Sequence, residues 1–149
     1  MSDFTVHDID SAPEKAKPLL ENSKKSMGMV PSLHGVMAEA PELLEGYQTL
    51  HGLFTNTSLN ASEQSVVWLS ISVENECHYC VPAHTGIAHM TKVPEVITEA
   101  LRNETELPDE KLEALRTFTL AVVRKRGNVS KEDLQAFHDA GYGQQQVLE

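Results

Sequence analysis

The apolar positions of this chain recur at the spacing of an α-helix and not at the alternating spacing of a β-strand. In 41–54 and in 108–126 they repeat every three or four residues, which places them on one face of a helix. This spacing and the helix-end signals predict eight helices, over 13–25, 32–38, 41–54, 61–73, 77–91, 94–103, 108–126 and 130–140, and the start of another at 143–149. Residues 1–11 are predicted to be an extended lead-in. The pattern therefore predicts an all-α fold of about seven to eight short helices in a single domain over 1–149.

Short motifs predict where several helices begin and end. Asn60 and Glu63 stand in the positions of a capping box, in which each side chain binds the other residue's backbone N–H group. After this box, residues 66–73 are apolar or small on almost every side, which predicts a helix that is buried on most sides. Other end signals are Ser11 before 13–25, Gly127 after 108–126 and Ser130 before 130–140.

Length and charge narrow the classes of protein and partner. The chain has 149 residues, with 12 Lys and Arg against 22 Asp and Glu, and a formal net charge of −10. Because nucleic acids and acidic membranes attract basic surfaces, neither is expected as a partner. No apolar run approaches the roughly 20 residues of a membrane span, and no signal peptide is expected at the N-terminus. Two cysteines alone do not make a secreted disulfide framework, so we expect a reducing compartment, the cytoplasm.

The segment from Cys77 to His84 carries the candidate chemistry. In a helix, Cys77, Cys80 and His84 share one face, and Cys80 and His84 are neighbours one turn apart. Pro82 is tolerated only in a first turn, so the helix is expected to begin near His78, with Cys77 at or beside its N-cap. The unbonded N–H groups and the helix dipole there stabilise a thiolate, and His84 can exchange a proton with Cys80. We therefore predict a nucleophilic cysteine with a base in reach and a second thiol to resolve the intermediate.

Two other interpretations of the cysteine pair stay open at this point. A structural zinc site uses four N or S ligands. The close-lying candidates for such a site are Cys77, Cys80, His84 and either His78 or His89. The second alternative is a pair of buried cysteines with a structural role. We expect neither a metal nor a cofactor. The remaining histidines are expected at the surface or satisfied in the interior, namely His7, His34, His51 and His138. Glu74 and Glu76 are expected to solvate the loop before the motif.

The pattern Cys-x-x-Cys-x-x-x-His at the start of a helix in a small all-α chain resembles the alkylhydroperoxidase D-like / carboxymuconolactone decarboxylase family. The resemblance covers about 59–90 well, and the turn over 28–33 is similar to one in the family's peroxidase-related branch. It implies an all-helical fold, homo-oligomers such as trimers or hexamers, and thiol-based peroxidase activity without metal or haem. By this resemblance, Cys80 is the cysteine that attacks the peroxide, Cys77 is its resolving partner and His84 is the proton-relay histidine.

The sequence departs from the family pattern at two positions. The family's usual relay glutamate falls in register with Ser65, while Glu63 lies about 200° around the helix and is expected to act as a cap. The histidine that usually precedes the second cysteine is Tyr79 here, with His78 one place earlier. Proton transfer would then use Ser65, Glu74 or water.

The leading functional hypothesis is a cysteine peroxidase. It would reduce an organic or hydrogen peroxide through a Cys77/Cys80 dithiol–disulfide cycle, with a dithiol reductant or a reductase as its partner. Two alternatives are a lactone decarboxylase, as the family's other name implies, and a redox-sensing helical module without turnover. A homo-oligomer is expected from the resemblance and because several amphipathic helices in a modest chain can leave apolar surface for neighbours.

Overall fold

A computed structural model describes residues 4–149, and these residues form helices without any strand. The predicted all-α fold class is confirmed, and the described residues form nine helices: the eight that were predicted and a short one within 143–149, where the start of another was expected. The helices are α1 (Lys17–Met27), α2 (Ser32–Met37), α3 (Pro41–Thr55), α4 (Ala61–Glu74), α5 (Cys80–Met90), α6 (Glu95–Arg102), α7 (Glu110–Arg124), α8 (Lys131–Asp139) and α9 (Gln144–Leu148). The first three residues of the predicted lead-in lie outside the described residues, and residues 4–8 form no helix.

The residues up to Asn56 form one compact unit, which contains α1, α2 and α3. The lead-in segment is held against α2, because the His7 N–H donates to the Gly35 carbonyl oxygen over 3.1 Å. A Cβ atom at Gly35 would lie 2.6 Å from the His7 carbonyl oxygen, so the close approach requires glycine there. The buried hydrophobic core of this unit consists of Ala12, Ala16, Leu20, Ala38 and Leu44.

The residues from Thr57 to Glu149 form a second compact unit, in which α4 packs against α5, α6 and α7. Val66 and Leu69 of α4 are fully buried, and three serines of the same helix are buried as well. The predicted helix that is buried on most sides is therefore confirmed. Across residues 4–149, no helix combines the length and the apolar character that crossing a membrane requires.

The first helix begins later than the sequence predicts. The segment Pro13–Ala16 forms a turn, closed by a 2.8 Å hydrogen bond between the backbones of its two end residues. Pro18 has no N–H group, so the hydrogen bond that would extend α1 backward across this turn cannot form. Pro18 lies instead in the first turn of α1, and Ser11 hydrogen-bonds with Asp8 and does not cap the helix.

Helices α4 to α7 each end with a residue in the left-handed region that is not glycine. These residues have φ between 49° and 61° and are Glu76, Lys92, Glu104 and Arg126. In each case the N–H of the following residue reaches back to a carbonyl in the last turn, which is a Schellman motif. Arg126, and not Gly127, is the first left-handed residue after α7, so the predicted stop lies one residue too late; Gly127 follows it with a positive φ.

Candidate active site

A disulfide bond joins Cys77 and Cys80 between the end of α4 and the start of α5. We call residues 77–80 the redox turn; the Cα atoms of its two cysteines are 5.2 Å apart. The redox turn is anchored to α4, because the Cys77 N–H donates to the Ser72 carbonyl oxygen over 3.0 Å. This bond belongs to the Schellman motif that ends α4, so the helix end sets the position of the first cysteine.

The redox turn leads directly into α5, whose first regular residue is Cys80. Regular α5 begins two residues after His78, near which the start was predicted, because Pro82 has no N–H group to donate to the His78 carbonyl oxygen. The backbone nevertheless turns helically from Cys77, whose carbonyl oxygen accepts the Val81 N–H over 3.1 Å. The Cys77 sulfur also accepts the Cys80 N–H over 3.0 Å, in the manner of a cap. Both sulfurs therefore lie at the positive end of the α5 dipole.

His84 lies one turn after Cys80 in α5, so the two side chains share a face of the helix. The imidazole of His84 stacks on the indole of Trp68 from α4, with ring centroids 5.1 Å apart and an angle of 18° between the planes. The two cysteines and His84 are half-buried, whereas Tyr79, between the two cysteines, is 43% exposed. A small molecule can therefore approach the redox turn while the histidine is partly shielded from water.

Trp68 is not among the candidate residues predicted from the sequence. Ser65, Trp68 and Ser72 are spaced i, i+3 and i+7, which places them on one face of α4. Ser65 is the position at which the family resemblance expects a glutamate, and Ser72 supplies the carbonyl that anchors the redox turn. Helical spacing from Ser65 was therefore a signal that could have identified Trp68.

Glu63, in the first turn of α4, is fully engaged in the fold. Its Oε2 accepts the Asn60 N–H over 2.8 Å, and the Asn60 side chain accepts the Glu63 N–H over 3.1 Å, which confirms the predicted capping box. Its Oε1 accepts the Tyr142 hydroxyl over 3.0 Å and lies 3.8 Å from the Lys111 ammonium. Burial and the bond to Glu63 raise the pKa of Tyr142, so its hydroxyl keeps the proton that it donates. Both oxygens of Glu63 therefore serve the structure.

Glu74 is the last residue of α4 and does not solvate a loop as predicted. The Arg124 guanidinium donates two hydrogen bonds to its carboxylate, over 2.8 and 2.7 Å. This contact holds the pKa of Glu74 below its ordinary value. Glu76 is exposed, in agreement with the prediction that it faces solvent. The carboxylate nearest to the redox turn along α4 is thus tied to α7.

The remaining histidines have partners away from the redox turn. His34 is buried with its Nδ1 at 2.8 Å from the Ser23 hydroxyl oxygen, and this burial lowers its pKa. The other contacts are His7 with Glu39, His51 with the Tyr47 ring and His138 with the Tyr142 carbonyl oxygen. In the described part of the chain, no three His, Cys, Asp or Glu side chains gather where they could hold a metal ion.

Comparisons with known proteins extend these observations. The model of a family described as the carboxymuconolactone decarboxylase family matches residues 41–119. The crystal structure of an alkylhydroperoxidase AhpD core, an uncharacterized peroxidase-related protein from Ralstonia eutropha JMP134, is similar with a TM-score of 0.84 and 19% identity, over 97% of this chain and 78% of that chain. An uncharacterized peroxidase-related protein from Silicibacter sp. TM1040 gives a TM-score of 0.81 and 19% identity, over 99% and 81%. None of the curated proteins compared with the chain matches it. At such identities, the two structures show a shared fold.

Proposed function

The chain belongs to the carboxymuconolactone decarboxylase family, and we propose that it acts within this family as a thiol-dependent peroxidase. The observation that carries the proposal is the disulfide between Cys77 and Cys80 at the start of α5, one turn before His84. A helix N-terminus favours the thiolate that attacks a peroxide, and a neighbouring thiol converts the product into a disulfide. The peroxidase-related names of the two structural neighbours support the same interpretation.

The proposed cycle begins with both cysteines reduced. The Cys80 thiolate attacks one peroxide oxygen, breaks the O–O bond and becomes a sulfenic acid, while the second oxygen leaves and takes a proton from protonated His84. The Cys77 thiol then attacks the Cys80 sulfur, which forms the disulfide and releases water. A dithiol reductant restores both thiols and leaves as its own disulfide. One peroxide is thereby reduced to an alcohol (or water) and water for each dithiol oxidised.

The attack is assigned to Cys80 because this cysteine lies one helical turn before His84 in α5. His84 follows Cys80 by four residues, which is the spacing of helical neighbours, whereas Cys77 precedes the regular helix. Neither Glu63 nor Glu74 is assigned to the proton relay, because each carboxylate is bound to a structural partner. The proton on His84 is instead replaced from water at the half-exposed site.

Stopped-flow oxidation of the reduced protein by hydrogen peroxide and an alkyl hydroperoxide tests this function. Cys80→Ser should abolish thiol loss. Cys77→Ser should allow a single oxidation, trapped as a sulfenic acid by a dimedone reagent, but no turnover with a dithiol reductant. Full peroxide turnover by the Cys80→Ser protein would overturn the proposal.

The same preparation tests the two alternative functions. Decarboxylation of a carboxymuconolactone without peroxide loss would assign the chain to the activity in the family's name. A Cys77–Cys80 disulfide that equilibrates with a glutathione buffer, in protein that does not react with peroxide, would assign it to redox sensing. Either result would replace the peroxidase.

A further inference from the structure

Trp68 is the only tryptophan of the chain, and it contacts the histidine of the candidate site. Its indole lies nearly parallel to the His84 imidazole, at a centroid distance of 5.1 Å. The proposed cycle makes no use of the indole, which neither gives nor takes a proton at neutral pH. Its location nevertheless limits where the imidazole can lie.

One face of α4 holds both halves of the site. The Ser72 carbonyl oxygen accepts the Cys77 N–H over 3.0 Å, which anchors the redox turn. Trp68, one helical turn earlier on the same face, stacks on His84. The Ser72 hydroxyl donates to the Trp68 carbonyl oxygen over 2.6 Å and links the two anchoring positions. Because both contacts come from adjacent turns of one helix, α4 determines how far the imidazole lies from the sulfurs.

Building on the proposed function, we propose that Trp68 is a positioning residue, whose indole holds the His84 imidazole beside Cys80 and favours the protonated ring that accompanies the Cys80 thiolate. Among aromatic side chains, indole attracts a cation on its π face most strongly. The stack therefore favours an imidazolium, in opposition to the partial burial of His84, which disfavours the charged ring. A stabilised imidazolium in turn stabilises the thiolate beside it.

Alkylation of Cys80 by iodoacetamide in the Cys77→Ser protein tests the proposal without peroxide. Because only the thiolate reacts, the alkylation rate at neutral pH measures the fraction of Cys80 that is ionised, and His84 is proposed to raise this fraction. Trp68→Leu should lower this rate about fivefold, the size expected for the loss of one cation–π contact. Trp68→Phe keeps an aromatic face and should recover most of the rate, which a role in packing alone would not predict. Peroxide consumption in the Cys77-containing protein should follow the same order.

The single tryptophan provides a second measurement with Trp68 intact. A protonated imidazole in contact with indole quenches its emission, so His84→Gln should raise the Trp68 emission of the reduced protein. His89→Gln changes an exposed histidine of the same helix and should leave the emission unchanged. Both variants keep the indole, so the emission tests the contact between Trp68 and protonated His84 even if Trp68→Leu does not fold.

Three results would overturn the assignment. They are wild-type alkylation in folded Trp68→Leu, alkylation in Trp68→Phe as slow as in Trp68→Leu, and emission that His84→Gln leaves unchanged. A protein that alkylates in the expected order and consumes no peroxide would contradict the proposed peroxidase and support the positioning role of Trp68. Failure of the function and failure of this inference are therefore distinguishable.

Discussion

In its first turn α4 carries a buried carboxylate, Glu63, whose two oxygens accept hydrogen bonds from the Asn60 backbone and the Tyr142 hydroxyl. In its second half the same helix presents Trp68 to His84 and anchors the redox turn. Each region contacts an ionisable side chain, buried Glu63 in the first and half-buried His84 in the second, but only His84 lies near the disulfide. An ionisable residue whose hydrogen-bonding atoms are committed to the fold is structural, whereas one held beside a reactive sulfur is a candidate for chemistry.

The backbone differs between the two regions as well. The N-terminal end of α4 has an extended cap residue and a complete capping box. The C-terminal end passes through Glu76, with a φ of 49°, immediately before Cys77. A left-handed residue that is not glycine costs about 1–2 kcal/mol of conformational free energy. The backbone before the redox turn carries this cost at Glu76, whereas the extended N-cap residue Asn60 does not.

The largest expected effect follows from removing the proton donor, His84. His84→Gln should slow oxidation of Cys80 by peroxide about a hundredfold, because the leaving oxygen loses its proton donor. The free energy of unfolding should change little in comparison. Stopped-flow thiol loss measures the rate, and His89→Gln is the matched control on the same helix. Equal rates in the two variants would show that His84 does not donate the proton. The proposed difference in role between His84 and Glu63 would then be wrong.

The opposite result is expected at Glu63. Glu63→Ala removes one half of the capping box and leaves the buried Tyr142 hydroxyl without its acceptor, which should lower the free energy of unfolding by about 1–3 kcal/mol. The rate of Cys80 oxidation should stay within about twofold of the wild type. Urea denaturation and stopped-flow oxidation measure the two quantities, with Glu45→Ala on exposed α3 surface as control. A loss of rate comparable to that of His84→Gln would place Glu63 in the proton relay.

The backbone cost before the redox turn gives a smaller effect. Glu76→Gly relieves the left-handed residue and increases the freedom of the unfolded chain, so the net gain in stability should be about 0.5 kcal/mol. Glu76→Val should lose about 1 kcal/mol, because a β-branched residue tolerates this conformation poorly. Lys92→Gly, at the equivalent position after α5, serves as comparison in urea denaturation of the oxidised protein. Destabilisation by Glu76→Gly would contradict this account.

The smallest effect concerns the capping box at the start of α8, which resembles the one at Asn60. Ser130 caps α8, and the Lys125 ammonium binds the Asp133 carboxylate and lowers its pKa to about 2. A lowered folded-state pKa contributes stability above pH 4 that is lost as the pH falls from about 4 to 2. The decrease in Tm over this interval should be shallower in Asp133→Asn than in the wild type. Parallel Tm curves would show that the box adds no pH-dependent stability.

The sequence predicted the features that depend on short stretches of chain. The capping box at Asn60, the cap at Ser130 and the disulfide-capable pair Cys77 and Cys80 each span three residue steps, so spacing alone places their atoms in reach. The predicted start of α1 was wrong because the prediction placed Pro13 in the first turn. Pro18, which lacks an N–H group, is instead the proline that lies there. Local backbone chemistry explains both the correct and the incorrect predictions.

Tertiary packing decided which of these residues meet others. The partner of Glu63 is Tyr142, 79 positions away, and the partner of Glu74 is Arg124, 50 positions away. The stack of Trp68 on His84 likewise requires α4 and α5 to pack at a particular rotation. Periodicity shows which face of a helix is apolar, but the rotation and offset between two packed helices depend on all the side chains that fill the space between them. The sequence by itself therefore determined the cysteine pair and its helix, and the packed fold determined which side chains surround it.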